Sequence, residues 1–448
     1  MPAMRKFIFV ISLLFISLQL FFSARIISSV QSFPDRTSHL TVAGHFWEHL
    51  TFSADDLWNF GAERGHSYNV FSPLPYVSYL PGQFFADFSS RQGEKIARHV
   101  SAVLLVILNC LAVYLLGLSL IKQADCLKFS RRSLALLFAV TLTSFPQIGV
   151  LNSFINADNY TITVCFFITA FSLYMLRGPA ADGKIAVIVG LLGALLLHAK
   201  ANAYPFIIFL LGVFFWSVLK SEQSKLNKIT LTGLALSIIV LIVMPFHYVL
   251  WHHLGQDSQL PGEVHLAFME NTFRGRGEFT SDAQMPFYYE DQKEKRSLAL
   301  RFDTAWNRVK RAARYTGNTF LGDIFKVVHV SVSSVYILVF LLALSLVGVM
   351  ITFINRRVKA IFATDLIFLT SWFLVLFLAT AIPLMLMPIA IQGRLLLTIL
   401  PLLGAVAIVG MSAFISALKI NVEKAYVLSC ISWLFVFWLI RFELLWAL

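Results

Sequence analysis

Residues 7–30 read FIFVISLLFISLQLFFSARIISSV. A run this long and this apolar crosses the roughly 30 Å hydrocarbon core of a bilayer as one helix. Arg5 and Lys6 stand immediately before it. Basic residues collect on the cytoplasmic side of membrane proteins, so this pair places the N-terminus inside. A cleaved signal peptide has a shorter apolar run and a small-x-small site at its end, and no such site is clear here. The segment is expected to remain as a transmembrane helix.

Comparable apolar spans follow at about 100–121, 134–151, 159–176, 185–199, 203–219 and 229–251, then at about 333–354, 362–382, 395–417 and 426–446. Length and periodicity give about eleven helices in all, the break at 199–203 being the least distinct. Composition agrees: 58% of residues are hydrophobic and 13% charged, and the mean hydropathy is +0.75. A soluble domain carries roughly twice that charge. The fold class is an all-α polytopic membrane protein, a single integral membrane domain over residues 1–448.

The net charge of +12 would suggest nucleic acid in a soluble protein. Here its distribution has a simpler cause. The bases fall in alternate short loops: Lys122, Lys128, Arg131 and Arg132; Arg177 and Lys184; Lys220, Lys225 and Lys228; Arg356, Arg357 and Lys359; Lys419 and Lys424. The opposite turns, around 145–158, 200–202 and 383–394, hold only Lys200 and Arg394 as bases. That asymmetry is the positive-inside pattern. With no Gly-rich phosphate loop and no RNA-binding signature, nucleic acid is not an expected partner.

This topology puts two long loops, 31–98 and 252–332, on the outer side. The first mixes Trp47, Trp58, Tyr68, Tyr76 and Tyr79 with Pro73, Pro75 and Pro81, which suits helices lying at the membrane interface. Of the four cysteines, Cys110, Cys165 and Cys430 lie in apolar spans and Cys126 in an inner loop, so no structural disulfide is expected.

The unusual polar residues gather on the same outer side. Asp35 follows Pro34 just after the first helix; it can be a helix N-cap, a general base or a metal-coordinating carboxylate. His39 lies four residues on. His45 and His49, with Glu48 between them, have the spacing of two metal ligands on one helical face, but no later ligand is evident. Asp55 and Asp56 are adjacent and look partly like a helix start. Asn156 and Asp158 precede the fourth helix, where both residue types cap well and where a carboxylate can also face a cavity. Asn159-Tyr160-Thr161 fits a glycosylation sequon but lies against the apolar span.

Lys200, between two apolar runs in His198-Ala199-Lys200-Ala201-Asn202, is costly to place without an anionic partner. Snorkelling to lipid phosphates is the plainer account and a substrate phosphate the functional one. Gln392-Gly393-Arg394 offers a guanidinium fork suited to phosphate oxygens beside a glycine that lets the backbone approach. The glycines of Tyr315 to Asp323 suggest a tight turn before the chain re-enters the membrane.

Together these residues resemble the GT-C superfamily of membrane glycosyltransferases, and most of all the bacterial protein mannosyltransferase and lipid A aminoarabinose transferase-like families. The likeness rests on Pro34-Asp35 and His39, Asn156-x-Asp158, Lys200, Gly317 to Gly322, and Gln392-Gly393-Arg394 followed by Pro401. Such proteins show an acidic pair in the first outer loop, whereas Arg36 follows Asp35 here. The resemblance implies a multi-pass protein of the bacterial cytoplasmic (inner) membrane acting on the outer face. It implies a polyprenyl-phosphate-sugar donor held by its lipid tail and phosphate, and transfer with inversion to a glycan such as O-antigen, a lipid or a protein. Asp35 and Asp158 are the expected catalytic carboxylates. His39, Asn156, Lys200, Gln392 and Arg394 are the expected substrate-binding residues. No cofactor is assigned, and a divalent cation stays open. An O-antigen polymerase or ligase, or a lipid-linked sugar flippase, is the alternative; the clustering of polar residues on one side and the lack of a visible repeat count against the flippase.

Overall fold

The computed structural model describes residues 2–30, 36–49, 72, 74–83, 90–121, 130–177, 181–255, 331–354, 366–386 and 397–447. Among these the chain is helical throughout, without strands. Its α-helices are α1 (Pro2–Ser29), α2 (Arg36–His49), α3 (Leu80–Gln83), α4 (Arg91–Leu120), α5 (Arg131–Thr143), α6 (Pro146–Asn152), α7 (Asp158–Leu176) and α8 (Gly183–Leu197). They continue with α9 (Pro205–Lys220), α10 (Lys225–Gly255), α11 (Val332–Ile354), α12 (Leu366–Leu386), α13 (Leu400–Ala417) and α14 (Val422–Ala447). Short 3-10 helices cover Leu74–Tyr79 and Ala201–Ala203.

Seven of the described helices are long and apolar enough to cross a membrane, and eight spans result if the bent pair α5 and α6 counts as one. α8 and α9 are apolar but shorter, 15 and 16 residues. The bundle is a multi-pass α-helical membrane protein. Helix starts follow local chemistry. The Ser90 hydroxyl accepts from Gly93 N ahead of α4, Ser130 from Ser133 N ahead of α5, and the Asp182 carboxylate from Ile185 N ahead of α8, each satisfying a donor the helix leaves unpaired. α4 packs against α1, α5 and α7; α8, α9 and α10 extend beyond α7; α14 and α13 carry α11 and α12, and α12 also packs against α9. At the close of α14 the Glu443 carboxylate accepts from Ser331 N at 3.2 Å, the Ser331 hydroxyl at 2.8 Å and the Ser334 hydroxyl at 2.5 Å. A negative charge thus sits at the positive end of α11.

The single run expected at 134–151 is in fact two helices meeting at 71°. Pro146 has no N–H to donate and its ring blocks a continuing helix. In a membrane, carbonyls released by such a break must find donors inside the protein. Neighbouring helices supply them. Nη2 of Arg441 on α14 donates to Thr143 O at 3.1 Å and Phe145 O at 3.4 Å. Gln19 on α1 donates to the Thr143 and Ser144 hydroxyls at 3.1 Å each. The Arg441 guanidinium is fully buried and lies 4.7 Å from the Phe22 ring centroid and 4.9 Å from that of Trp438. Its charge therefore meets the negative end of α5 and two aromatic faces. Gly149 makes the fit possible, since a Cβ there would stand 2.9 Å from Nη2 and 2.8 Å from Phe22. Arg441→Met is expected to cost about 1–3 kcal/mol by stripping the donor from these carbonyls, read as a lower unfolding temperature in detergent.

α11 and α13 approach closely through glycine. A Cβ on Gly348 would overlap the carbonyl oxygen of Gly410, and one on Gly410 would overlap that of Ser345. Small residues allow such contact between membrane helices. Gly348→Val should cost about 3 kcal/mol through overpacking, visible as loss of monodisperse protein on size exclusion.

Candidate functional site

The site lies at the end of the bundle where α1 ends, α4 and α7 begin, and the turn between α8 and α9 closes. Its centre is an ion pair: Lys200 Nζ is 2.9 Å from Asp158 Oδ1. Both are withdrawn from water, with 11% of the lysine side chain and 3% of the aspartate side chain exposed. The sequence separates them by a whole helical hairpin, and the fold brings them together. Asp158 opens α7, where the helix dipole favours a carboxylate. Lys200 sits in the turn ahead of the 3-10 helix Ala201–Ala203. Lys200 N also donates to the Thr161 hydroxyl at 3.3 Å, so one turn of α7 holds the lysine by both its backbone and its ammonium.

The N-cap of α7 is Ala157, and Oδ1 of Asn156, one residue before it, accepts from Asn159 N at 3.1 Å. The Asn156 amide donates to Leu151 O and Phe154 O, both at 3.0 Å. With its amide hydrogens used inside the turn, Asn156 shapes the site, and its neighbour Asp158 carries the charge.

Two further groups fix the turn, and sequence reading passed over both. The Tyr79 hydroxyl donates to Phe154 O at 2.7 Å and accepts from Asn156 N at 3.2 Å and the Asn159 amide at 2.9 Å. Burial pushes this phenol up to about 12, against the lowering by its hydrogen-bond partners. Arg98 of α4 donates through Nε to Ser153 O at 2.8 Å and through Nη2 to Val30 O at 3.3 Å. Its Nη1 is 3.6 Å from Glu94 Oε1, and the guanidinium stacks 5.1 Å from the Phe154 centroid. The available signal was the Glu94/Arg98 spacing of i, i+4 at the mouth of an apolar run.

His39 is fully buried on α2, its Nδ1 2.6 Å from the Tyr76 hydroxyl. Tyr76 and Tyr79 belong to the same 3-10 helix, so His39 is linked by one short element to the turn that presents Asp158. His198 lies two residues before Lys200. Its Nε2 lies 3.4 Å from Ile242 O, and its ring centroid 5.8 Å from that of His247.

Asp35, Gln392, Arg394 and the Tyr315 to Asp323 stretch lie outside the described residues, as do Asp55, Asp56 and Cys126. The His45 and His49 rings meet edge to face at 4.5 Å. Among the described residues no three His, Cys, Asp or Glu side chains converge on a metal position. At Asp158 itself the ammonium 2.9 Å away would repel a divalent cation.

No protein-family model matches the chain, and comparison with curated proteins and with solved structures finds no significant match to its sequence or its fold.

Proposed function

We propose that the chain is a membrane glycosyltransferase that moves a sugar from a polyprenyl-phosphate donor to an acceptor hydroxyl on the outer face of the bacterial cytoplasmic membrane. The observation that carries this reading is the Asp158–Lys200 pair, charged and nearly water-free at one end of a membrane bundle. Ionisable groups in such a place mark substrate sites by default, because lipid alone gives no return for burying them. In this reading the chain crosses the membrane about eleven times with its N-terminus inside, α8 and α9 being two of the passes.

Each residue then has a task. A carboxylate, Asp35 or Asp158, takes the proton from the acceptor hydroxyl. The acceptor oxygen bonds to the anomeric carbon as the bond from that carbon to the phosphate oxygen breaks, which inverts the centre. The electron pair leaves on the lipid phosphate, where Lys200 and Arg394 stabilise it in a region of low dielectric. Gln392 and His39 help to seat the donor, and Asn156, Tyr79 and Arg98 hold the turn in shape.

The experiment is mass spectrometry of surface glycans and glycolipids from cells with and without the gene. The expected result is the loss of one sugar addition. Identical profiles under expressing conditions would overturn the proposal.

A further inference from the structure

At the opposite end of the bundle two guanidiniums share one acceptor. Arg131, the first residue of α5, donates through both Nε and Nη2 to the Leu118 carbonyl, the Nε contact being 3.1 Å. Arg177, which closes α7, donates to the same oxygen through Nη1 at 2.8 Å. Nε and Nη2 of Arg177 are buried and have no hydrogen-bond partner among the described residues. No described carboxylate forms an ion pair with either arginine. Burial, and then the neighbouring Arg131 charge, pushes the Arg177 guanidinium down to about 10. One helix-end carbonyl offsets only part of two positive charges, since a helix terminus carries roughly half an elementary charge.

The surface that leads to this pair is apolar. Val103, Ile107, Leu111 and Leu115 are exposed at every fourth position of α4, so they form one stripe along the helix. Leu118, seven residues after Leu111, falls on the same stripe. Tyr174, exposed on α7, lies one turn before Arg177 on that helix face. A long apolar track thus ends at two cations, of which Arg177 keeps donors without a partner among the described residues. That is the shape of a phospholipid: acyl chain along the track, phosphate at its end.

We propose that Arg131 and Arg177 form a binding site for the phosphate of an anionic glycerophospholipid whose chain lies along Val103, Ile107, Leu111 and Leu115. The site is separated from Asp158 by the length of α7, 19 residues or about 28 Å, and does not depend on the function proposed above. Arg suits it because its planar fork matches two phosphate oxygens at once. The lipid supplies the negative charge that the described residues around the pair lack.

The test uses the full chain, delipidated in a non-ionic detergent and titrated with short-chain phosphatidylglycerol, short-chain phosphatidylcholine or inorganic phosphate. Bound species are counted by native mass spectrometry. Phosphatidylglycerol should bind best, and Arg131→Gln/Arg177→Gln should weaken it about 25-fold, about fivefold for each guanidinium. Phosphatidylcholine binding should not change between the two proteins. Equal phosphatidylglycerol binding to both proteins overturns the proposal, and so does inorganic phosphate binding as tightly as the lipid. Asp125, in the 122–129 segment, is the acid that would make a lipid unnecessary. Asp125→Asn should leave the affinity unchanged, and phosphatidylglycerol binding that appears only in that variant overturns the site. If the double Gln variant does not survive purification, Arg131→Lys/Arg177→Lys decides. Charge kept and forks lost should give partial loss, and no change from wild type counts against the geometry.

Discussion

Lys200→Met should destabilise the protein by about 3–5 kcal/mol and abolish transfer. The stability term follows from burial: with its ammonium partner removed, the Asp158 carboxylate, 3% exposed, loses the charge 2.9 Å away that offsets its desolvation. The activity term follows from the proposed role of Lys200 at the leaving phosphate. A single variant mixes the two, so the informative protein is Asp158→Asn/Lys200→Met. Replacing both members of a buried ion pair with neutral groups of similar volume is often close to neutral for stability. The double variant should therefore unfold near the wild-type temperature in detergent while remaining inactive. If it regains stability and also transfers sugar at the wild-type rate, the pair is architectural and the proposed site fails.

Asp35→Asn should lower transfer by about 100- to 10,000-fold, the usual contribution of a positioned general base. This substitution separates the two accounts of Asp35. In the sequence Asp35 comes just before Arg36, the first described residue of α2, and an Asp ahead of a helix is most simply read as a cap. Asn caps a helix as well as Asp does, so a capping role predicts unchanged stability and unchanged activity. A base role predicts unchanged stability and lost activity, because the amide cannot accept the proton. The check is turnover against unfolding temperature on the same preparation. Full activity in Asp35→Asn would pass the role of base to Asp158 or remove it altogether.

Much of the fold was legible because one physical variable, apolar length, governs membrane helices. α1, α4, α7, α10, α11, α13 and α14 all coincide with runs read directly from the chain. The break between α8 and α9 was the least distinct, marked only by His198, Lys200 and Asn202 interrupting the apolar pattern. The bend between α5 and α6 was not legible. Thr143-Ser144-Phe145-Pro146 keeps the run apolar enough to look continuous, and only the proline hinted at the change of direction. What makes the bend tolerable, Arg441 and Gln19, lies hundreds of residues away in one case and on the first helix in the other. No periodicity encodes such a partner.

The candidate site was legible by sides and not by pairs. Alternation of helices put Asp158 and Lys200 on one side of the chain's path, and the ion pair between them agrees with that. That Asn156 would tie the turn to the first residues of α7 while Asp158 paired with Lys200 could not be read, because both residue types do both jobs. Tyr79 and Arg98 were passed over for a similar reason. A tyrosine in an aromatic loop and an arginine at a helix mouth look like interface anchors until their hydrogen bonds to Phe154 and Ser153 are seen.

The contact between Gly348 and Gly410 has a mechanical consequence. Backbone touching backbone cannot yield by turning a side chain, so α11 and α13 cannot slide past one another without first separating. They behave as a single strut. α11 follows the segment 256–330 in the chain, and α13 follows the segment 387–396 that contains Gln392 and Arg394. Both segments therefore spring from one unyielding piece, and the spacing of their roots is set before any ligand arrives. Any motion that admits the lipid tail of the proposed donor has to come from other joints of the bundle, where contacts are made by side chains that can rotate.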